Sequence, residues 1–433
     1  VQVPLRRDDD PHARSLLEVR RKLYPRAVGG VFARWRWAMV WATQLVFYGL
    51  PWLSWNDRQA VLFDLGARRF HLFGLVLHPQ DFIYLTALLV VSAMSLFLFT
   101  TVAGRLWCGY ACPQTVYTEI FLWIERRVEG DRQRRIKLDA APMSARKLRL
   151  KATKHLAWFA VALWTGLTFV GYFTPIRELV PAVAAFELGP WQTFWILFYG
   201  FATWGNAGFM REQVCKYMCP YARFQGVMFD RDTLVITYDE GRGEPRGPLR
   251  RKAPEGGGDC VACSLCVQVC PTGIDIRDGQ QYECIGCAAC IDACDQVMDK
   301  VGSPRGLIRY DTLNGVERNL DRATLLRRVL RPRVLLYTAI LGAVLVALGA
   351  SLIGRVPLKV DVMRDRGMLA REVKNGHVEN VYRLMIVNAS ERERIFTIDV
   401  DGIPGIVIDS ETEVHAEADA NRLVAVRVRV DPD

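Results

Sequence analysis

Eight cysteines between Cys260 and Cys294 constrain this chain more than any other feature, because they form two copies of one spacing. The first copy reads C-x2-C-x2-C-x3-C-P through Cys260, Cys263, Cys266, Cys270 and Pro271; the second runs through Cys284, Cys287, Cys290 and Cys294. Three cysteines on one tight loop hold three irons of a [4Fe-4S] cube, and the fourth, carried off by a short helix, ligates the neighbouring cube in two-cluster ferredoxins. On that rule Cys260, Cys263, Cys266 and Cys294 serve one cluster, and Cys284, Cys287, Cys290 and Cys270 serve the other. Asp295 stands where the second copy would have its proline, which leaves all four sulfurs in place. Zinc is the competing reading. Zinc sites pair two C-x2-4-C knuckles, and doubled three-cysteine loops offer no such geometry.

Around this run the chain is apolar. Hydrophobic residues make up 51% of it, with 12 Trp and 20 Phe, and that composition points to a membrane. Five runs, Trp37 to Leu53, Phe82 to Phe99, His155 to Phe173, Trp191 to Phe209 and Val334 to Ile353, approach the roughly 20 residues a helix needs to cross about 30 Å of hydrocarbon. Trp35, Trp37, Trp41, Trp52 and Trp55 suit the aromatic belts at the two interfaces. About 36 mostly polar and basic residues precede the first run with no cleavage site after it, so that run is expected to act as an uncleaved anchor.

The net charge of +10 is concentrated in alternate loops, so it reads as a topology signal and not as a nucleic-acid surface. Arg6, Arg7, Arg14, Arg20, Arg21, Lys22, Arg26, Arg34 and Arg36 precede the first span. Arg126, Arg127, Arg132, Arg134, Arg135, Lys137, Arg146, Lys147, Arg149, Lys151 and Lys154 follow the second, while the stretch from Thr174 to Pro190 has Arg177 alone. The positive-inside rule then places the N-terminus and the cysteine-rich head in the cytoplasm and the C-terminus outside. All twelve cysteines fall on the cytoplasmic side in this scheme, where thiols stay reduced.

A second repeat lies at the ends of the even-numbered spans. Cys108-Gly-Tyr-Ala-Cys112-Pro113 and Cys215-Lys-Tyr-Met-Cys219-Pro220 share the pattern C-x-Y-x-C-P. If the backbone is helical there, each pair lies on one helix face, and the proline following it favours a kink or a fresh helix start. Two such faces would bring four sulfurs together. Buried cysteines that pack helices are the plainer alternative.

The expected order is a basic arm over 1–36, helical around Ser15 to Leu23 and solvated at the membrane surface. A membrane core of four helices in two hairpins follows over 37–229. The α+β two-cluster ferredoxin domain, with its apolar strand Leu234 to Tyr238 and a flexible glycine-rich, proline-rich linker, takes 230–306. A basic segment and the fifth span take 307–354, and an all-β immunoglobulin-like sandwich takes 355–433. That last assignment rests on period-two alternation through Leu384, Ile386 and Asn388, through Phe396, Ile398 and Val400, and through Val424, Val426, Val428 and Val430. Asn388-Ala-Ser390 is a chance glycosylation sequon. In the first external loop, Val61, Phe63, Leu65, Phe70 and Leu72 suggest a short hairpin or re-entrant piece, and His71 and His78 read as polar surface.

The Lys22-Leu-Tyr-Pro-Arg26 arm, both C-x-Y-x-C-P segments, Arg242-Gly-Glu-Pro-Arg-Gly247 and the Tyr282 to Cys290 run together resemble the CcoG family of cytochrome c oxidase accessory proteins, also called FixG or RdxA, over essentially the whole chain. The resemblance implies a bacterial inner-membrane polyferredoxin that helps assemble cbb-type oxidases by reducing Cu(II) to Cu(I). Copper would then be substrate or transient ligand at Cys108, Cys112, Cys215 and Cys219. Copper-delivery or oxidase assembly proteins would be its partners, and a homo-oligomer is compatible with this. The alternative is a quinol-linked electron carrier similar to the membrane ferredoxins of nitrate and nitrous oxide reduction. A redox-sensing interaction protein without turnover is the third reading. No c-type haem motif or facing pair of intramembrane histidines is present in the sequence, so haem is not expected.

Overall fold

Prolines and caps set where the helices begin. Pro113, Pro190 and Pro220 each open a helix at its first turn, where the missing N–H costs nothing, and Asp131 and Ser144 cap two more with their side chains. The computed structural model describes residues 22–248, 257–364, 370–373 and 376–431. Its contacts divide the chain into two units. The first takes Leu89–Gly171 and Glu178–Ala343 with the N-terminal stretch through Leu50; the second takes Pro51–Leu88, Tyr172–Arg177 and Val344 onward.

Helices cover all five apolar runs, but among the described residues only Pro79–Ala103 and Pro332–Ile353 are long and apolar enough to cross a membrane. The others differ for visible reasons. Val31–Gly49 carries Arg34 and Arg36 near its start, Ala145–Val170 opens on five basic residues, and Pro190–Gly205 has 16 residues before a π turn, Asn206–Met210, takes over.

In the first unit the ferredoxin head is built from the helices Leu265–Val269 and Ala289–Val301 and the antiparallel strands Val235–Tyr238 and Ile308–Asp311. Ile236, Ile276, Ile291, Met298, Leu307 and Ile308 form its apolar core. The closing strand ends at Asp311, so the head runs past the boundary expected at residue 306. The segment from Arg242 to Gly247 is also not the free tether its glycines suggest. Arg242 pairs with Asp259 at 2.5 Å and bonds the carbonyls of Pro304 and Arg305, and Gly247 N–H donates to the Cys260 carbonyl at 3.1 Å.

The arm departs from expectation as well. Most of the helix expected around Ser15 to Leu23 lies outside the described residues, and residues 22–29 form no helix or strand and are strapped to the helix Arg132–Ala140. Arg132 bonds the Tyr24 carbonyl at 2.9 Å, Arg135 the Pro25 carbonyl at 2.6 Å, and Tyr24 Oη donates to Asp139 at 2.6 Å. These side-chain bonds to backbone hold the strap on the protein, where a solvated surface arm was expected.

The second unit is mostly β. Val407–Ile408, Ala420–Val430, Val378–Asn388 and Leu358–Arg364 form one antiparallel sheet in that order, with Arg371–Glu372 beside it, and Arg394–Thr397 pairs with Glu413–Ala416 in another. Ile386, Val387, Val414, Ala416 and Val426 are buried, while Leu423, Ala425 and Arg427 face outward, as period two requires. Asn388 is wholly buried and its amide donates to three backbone carbonyls, which leaves no room for a glycan. The first loop folds into three antiparallel strands, Val61–Asp64, Arg69–Leu72 and Leu75–Leu77.

Candidate functional site

The two cysteine runs fold so that their fourth members change places. Cys260, Cys263, Cys266 and Cys294 line one cavity of the head. Cys270, Cys284, Cys287 and Cys290 line a second, which Cys266 also reaches. Each loop turns through left-handed residues, Ala262 (φ 52°) and Ser264 (φ 56°) in the first, Gly286 (φ 69°) and Ala288 (φ 57°) in the second. That curl points three cysteines of a run inward, and the short helix behind each run delivers the fourth to the other cavity.

All twelve cysteines are free. Burial pushes the Cys284 and Cys294 thiols up to about 12 and those of Cys266 and Cys287 up to about 11, and it raises Cys290 well above its ordinary value. Four thiolates can share such a place only with compensating positive charge. Iron supplies that charge, so the donor set fits [4Fe-4S] clusters.

The C-x-Y-x-C-P segments do not form the uninterrupted helix that would put each pair of thiols on one face. Cys108 sits in the short helix Leu106–Tyr110 and Cys215 in a π turn, Val214–Met218. Cys112 and Cys219 are extended and cap the helices Pro113–Glu129 and Pro220–Met228. The chain breaks between the members of each pair because the proline permits a fresh start where it forbids continuation. Cys108 and Cys215 still meet, in an apolar cluster that they share with Cys287. Cys108 Sγ meets Gln225 Oε1 at 3.5 Å.

The head is docked on these thiols. Cys108, Cys287, Val269, Ile285, Ala289 and Ala293 form one apolar cluster, with Cys215 and Tyr221 packed against it. Arg36 Nη1 donates to the Cys287 carbonyl at 2.6 Å and Arg105 to that of Tyr282, while within the head Tyr310 Oη donates to the Gly286 carbonyl at 2.6 Å. Asp292 of the head accepts from the N–H groups of Phe32 and Ala33 at 3.1 and 2.7 Å, capping the first helix. Sequence reasoning missed these ties, since a basic residue near a span looks the same whether it faces lipid headgroups or a carbonyl.

Gly109 makes the closest approach. A Cβ there would stand 2.8 Å from the Cys287 Cα and N and from the Gly286 carbonyl carbon. Backbone cannot yield as a flexible side chain can. Gly109→Ala is therefore expected to cost about 1–3 kcal/mol by overpacking and to speed iron loss to a chelator. Gly49→Ala, with nothing within 4 Å, should leave both unchanged; equal iron loss from the two variants would rule out the docking contact as the cause.

A ring of basic residues missed as a structural element lies beside this docking surface. Glu125 and Glu129 are buried against Arg135 (2.9 Å), Arg211 (3.1 Å), Lys151 (2.9 Å) and Lys154 (2.9 Å). Lys151 also reaches Asp139 at 2.5 Å, and Arg211 lies over the Trp158 ring. A cavity opens between these arginines and the thiols, lined by Arg36, Arg126, Arg135, Arg211, Cys215 and Cys287 among others.

Cysteine-lined cavities of this kind define an iron-sulfur electron-transfer protein, and comparison with known proteins agrees. Residues 210–313 match the 4Fe-4S dicluster domain family, residues 85–130 a 4Fe-4S binding domain family, and residues 348–433 the IG-like fold at the C-terminal of FixG. The nitrogen fixation protein FixG of Rhizobium meliloti is 40% identical over 96% of this chain and 85% of its own length. Protein RdxA of Cereibacter sphaeroides is 41% identical, covering 89% of this chain and 84% of its own, and protein RdxB of the same organism is 40% identical over 93% and 86%. The chain belongs to the FixG family. No solved structure matches it.

Proposed function

We propose that this chain is a membrane iron-sulfur reductase that converts Cu(II) to Cu(I) at Cys108, Cys112, Cys215 and Cys219. The observation that carries the proposal is the apolar cluster shared by Cys108, Cys215 and Cys287, which leaves no protein layer between a head cysteine and the membrane thiols. The crossed cysteine sets would each hold one [4Fe-4S] cluster, and such a cluster supplies electrons one at a time. Each Cu(II) takes one electron and no proton to become Cu(I). Thiolates bind Cu(I) in preference to harder ions, so the four sulfurs favour the product, and the head's carbonyl ties keep Cys287 against them. The cavity beside the thiols sets Arg26, Arg36, Arg126, Arg135 and Arg211 against Glu119 and Glu212, and this excess of positive charge favours copper that arrives with its charge reduced by ligands.

The five helices over the apolar runs would all cross the inner membrane of a bacterium, with arm and head in the cytoplasm and the β domain outside. Outward-facing Phe82, Ile83, Leu88 and Leu89 support this for the second of them. Oxidase assembly or copper-delivery proteins are the partners this reading calls for.

Cys112→Ala and Cys219→Ala test it in purified protein reduced with dithionite. Each is expected to slow cupric reduction on the order of tenfold or more, as loss of a metal-site contact does, with both head clusters retained. Wild-type rates in both variants would make these thiols packing residues. A second reading has its own support, because the 4Fe-4S binding domain match over residues 85–130 contains Cys108 and Cys112. On that reading the membrane thiols ligate iron and sulfide, and the same variants lose iron.

A further inference from the structure

His71 and His78, which the sequence suggests are surface residues, are buried to 6% and 4% exposure in the second unit. Strand register explains how they meet. His71 pairs with Val76, and His78, still extended at φ −109° and ψ 167°, lies two residues further along. The two side chains therefore share a face as diagonal neighbours, about 7–8 Å apart at Cβ or somewhat less, within reach of long side chains. Asp419 faces them from the turn between Glu413–Ala416 and Ala420–Val430, where its φ of +50° and the bond from its N–H to the Ser390 carbonyl aim it.

The donors are near one another and poorly used. His71 Nε2 stands 3.9 Å from Asp419 Oδ2, and His78 Nε2 stands 3.8 Å from Asp419 Oδ1. His71 Nδ1, both ring nitrogens of His78 and Asp419 Oδ1 are buried without a hydrogen-bond partner, and each such atom costs about 1–3 kcal/mol. Arg69 Nη1 takes Asp419 Oδ2 at 3.3 Å, which leaves Oδ1 free.

We infer that His71, His78 and Asp419 form a binding site for a divalent transition-metal ion, with Cu(II) the ion it holds most tightly. Two bonds of about 2.0–2.1 Å to imidazole nitrogen and carboxylate oxygen span up to about 4.1 Å. The separations of 3.9 Å from His71 to Oδ2 and 3.8 Å from His78 to Oδ1 each fall within that span, so an ion held on Asp419 would reach both imidazoles once the side chains close on it. Among the described residues no three donors already surround a single point, the head cysteines included, so in both places the metal would draw its ligands in. Imidazole and carboxylate suit copper, nickel and zinc, and the affinity order of divalent ions places Cu(II) highest. Every cysteine lies in the first unit, so the second unit offers no thiolate to favour Cu(I). The site uses none of the residues of the function proposed above and stands or falls without it.

The test adds one equivalent of Cu(II) alone to untagged full-length protein with its clusters oxidised and no reductant, read by electron paramagnetic resonance. Oxidised [4Fe-4S] clusters are silent in that measurement, and nitrogen couplings separate imidazole from thiolate. Wild-type protein is expected to show a two-nitrogen Cu(II) signal that zinc preloading removes. His71→Ala and His78→Ala should each lose one nitrogen and weaken binding on the order of tenfold or more. Asp419→Asn keeps the shape of the side chain and so guards against misfolding. It should weaken binding similarly while retaining both nitrogens. Absence of the nitrogen-coupled signal in wild type, or its persistence unchanged in both histidine variants, would overturn the assignment.

Discussion

Cys270→Ser strips iron from the cavity of Cys284, Cys287 and Cys290 and leaves the cavity of Cys260, Cys263 and Cys294 filled. That outcome is expected because Cys270 ends the helix Leu265–Val269 and lines the second cavity, away from the loop that carries its own run. The polar surroundings do not compensate for the lost thiolate; Thr272 Oγ1, 3.3 Å from the Cys270 sulfur, is a weak ligand. Iron should fall from about eight to about four atoms per chain, the content of one cube, unless a three-iron remnant stays on the other ligands. Iron and sulfide analysis with electron paramagnetic resonance of the reduced protein would read it. Selective loss of the first cluster would reverse the crossed assignment. Cys266 lines both cavities, so Cys266→Ser is the less selective substitution and should disturb the two together.

The crossed grouping of the eight head cysteines around two cavities was legible because spacing is a local property: three residues per curl and a helix to carry the fourth are written within 35 consecutive positions. The β domain was legible for the same reason, since alternation such as Val424, Val426, Val428 exposes the strand period directly. The thiol segments were half legible. Proline announced a break, but whether Cys112 would continue the preceding helix or cap the next depended on where the chain had to turn. What the sequence hid was pairing across long separations. Arg135, Lys154 and Arg211 look like other members of basic clusters, and only the fold gives them Glu125 and Glu129. His71 and His78 look like loop polar residues until the register of a three-stranded sheet puts them on one buried face with Asp419, roughly 340 positions away in the chain.

Glu125→Ala is expected to be the most damaging substitution outside the cysteines, and its pH signature identifies the cause. Glu125 has no exposed surface, and its carboxylate faces Arg135 Nη1 at 2.9 Å and Arg211 Nη2 at 3.1 Å. Removing one partner of a buried ion pair leaves the other charge uncompensated, at about 3–5 kcal/mol. Arg135 also holds the Pro25 carbonyl, so the strap from Lys22 to Arg26 should loosen and expose its basic residues to protease. Burial alone would raise the Glu125 carboxyl, but Arg211, Arg135 and Lys154 outweigh it and hold the group below its ordinary value. An acid depressed in the folded state stabilises fully above its unfolded value, near 4.3 for glutamate, and loses that contribution as pH falls through the lower folded value. Thermal unfolding of wild type and Glu125→Ala, compared from pH 7 downward, should show a wide gap at neutral pH. That gap should narrow only below about pH 4.3, as the wild-type carboxylate takes up its proton. Because other acid-labile groups, the clusters included, are common to both proteins, they cancel in the difference. A gap that stays constant to pH 3 would mean that the variant fails through lost packing, with the charge of Glu125 contributing nothing.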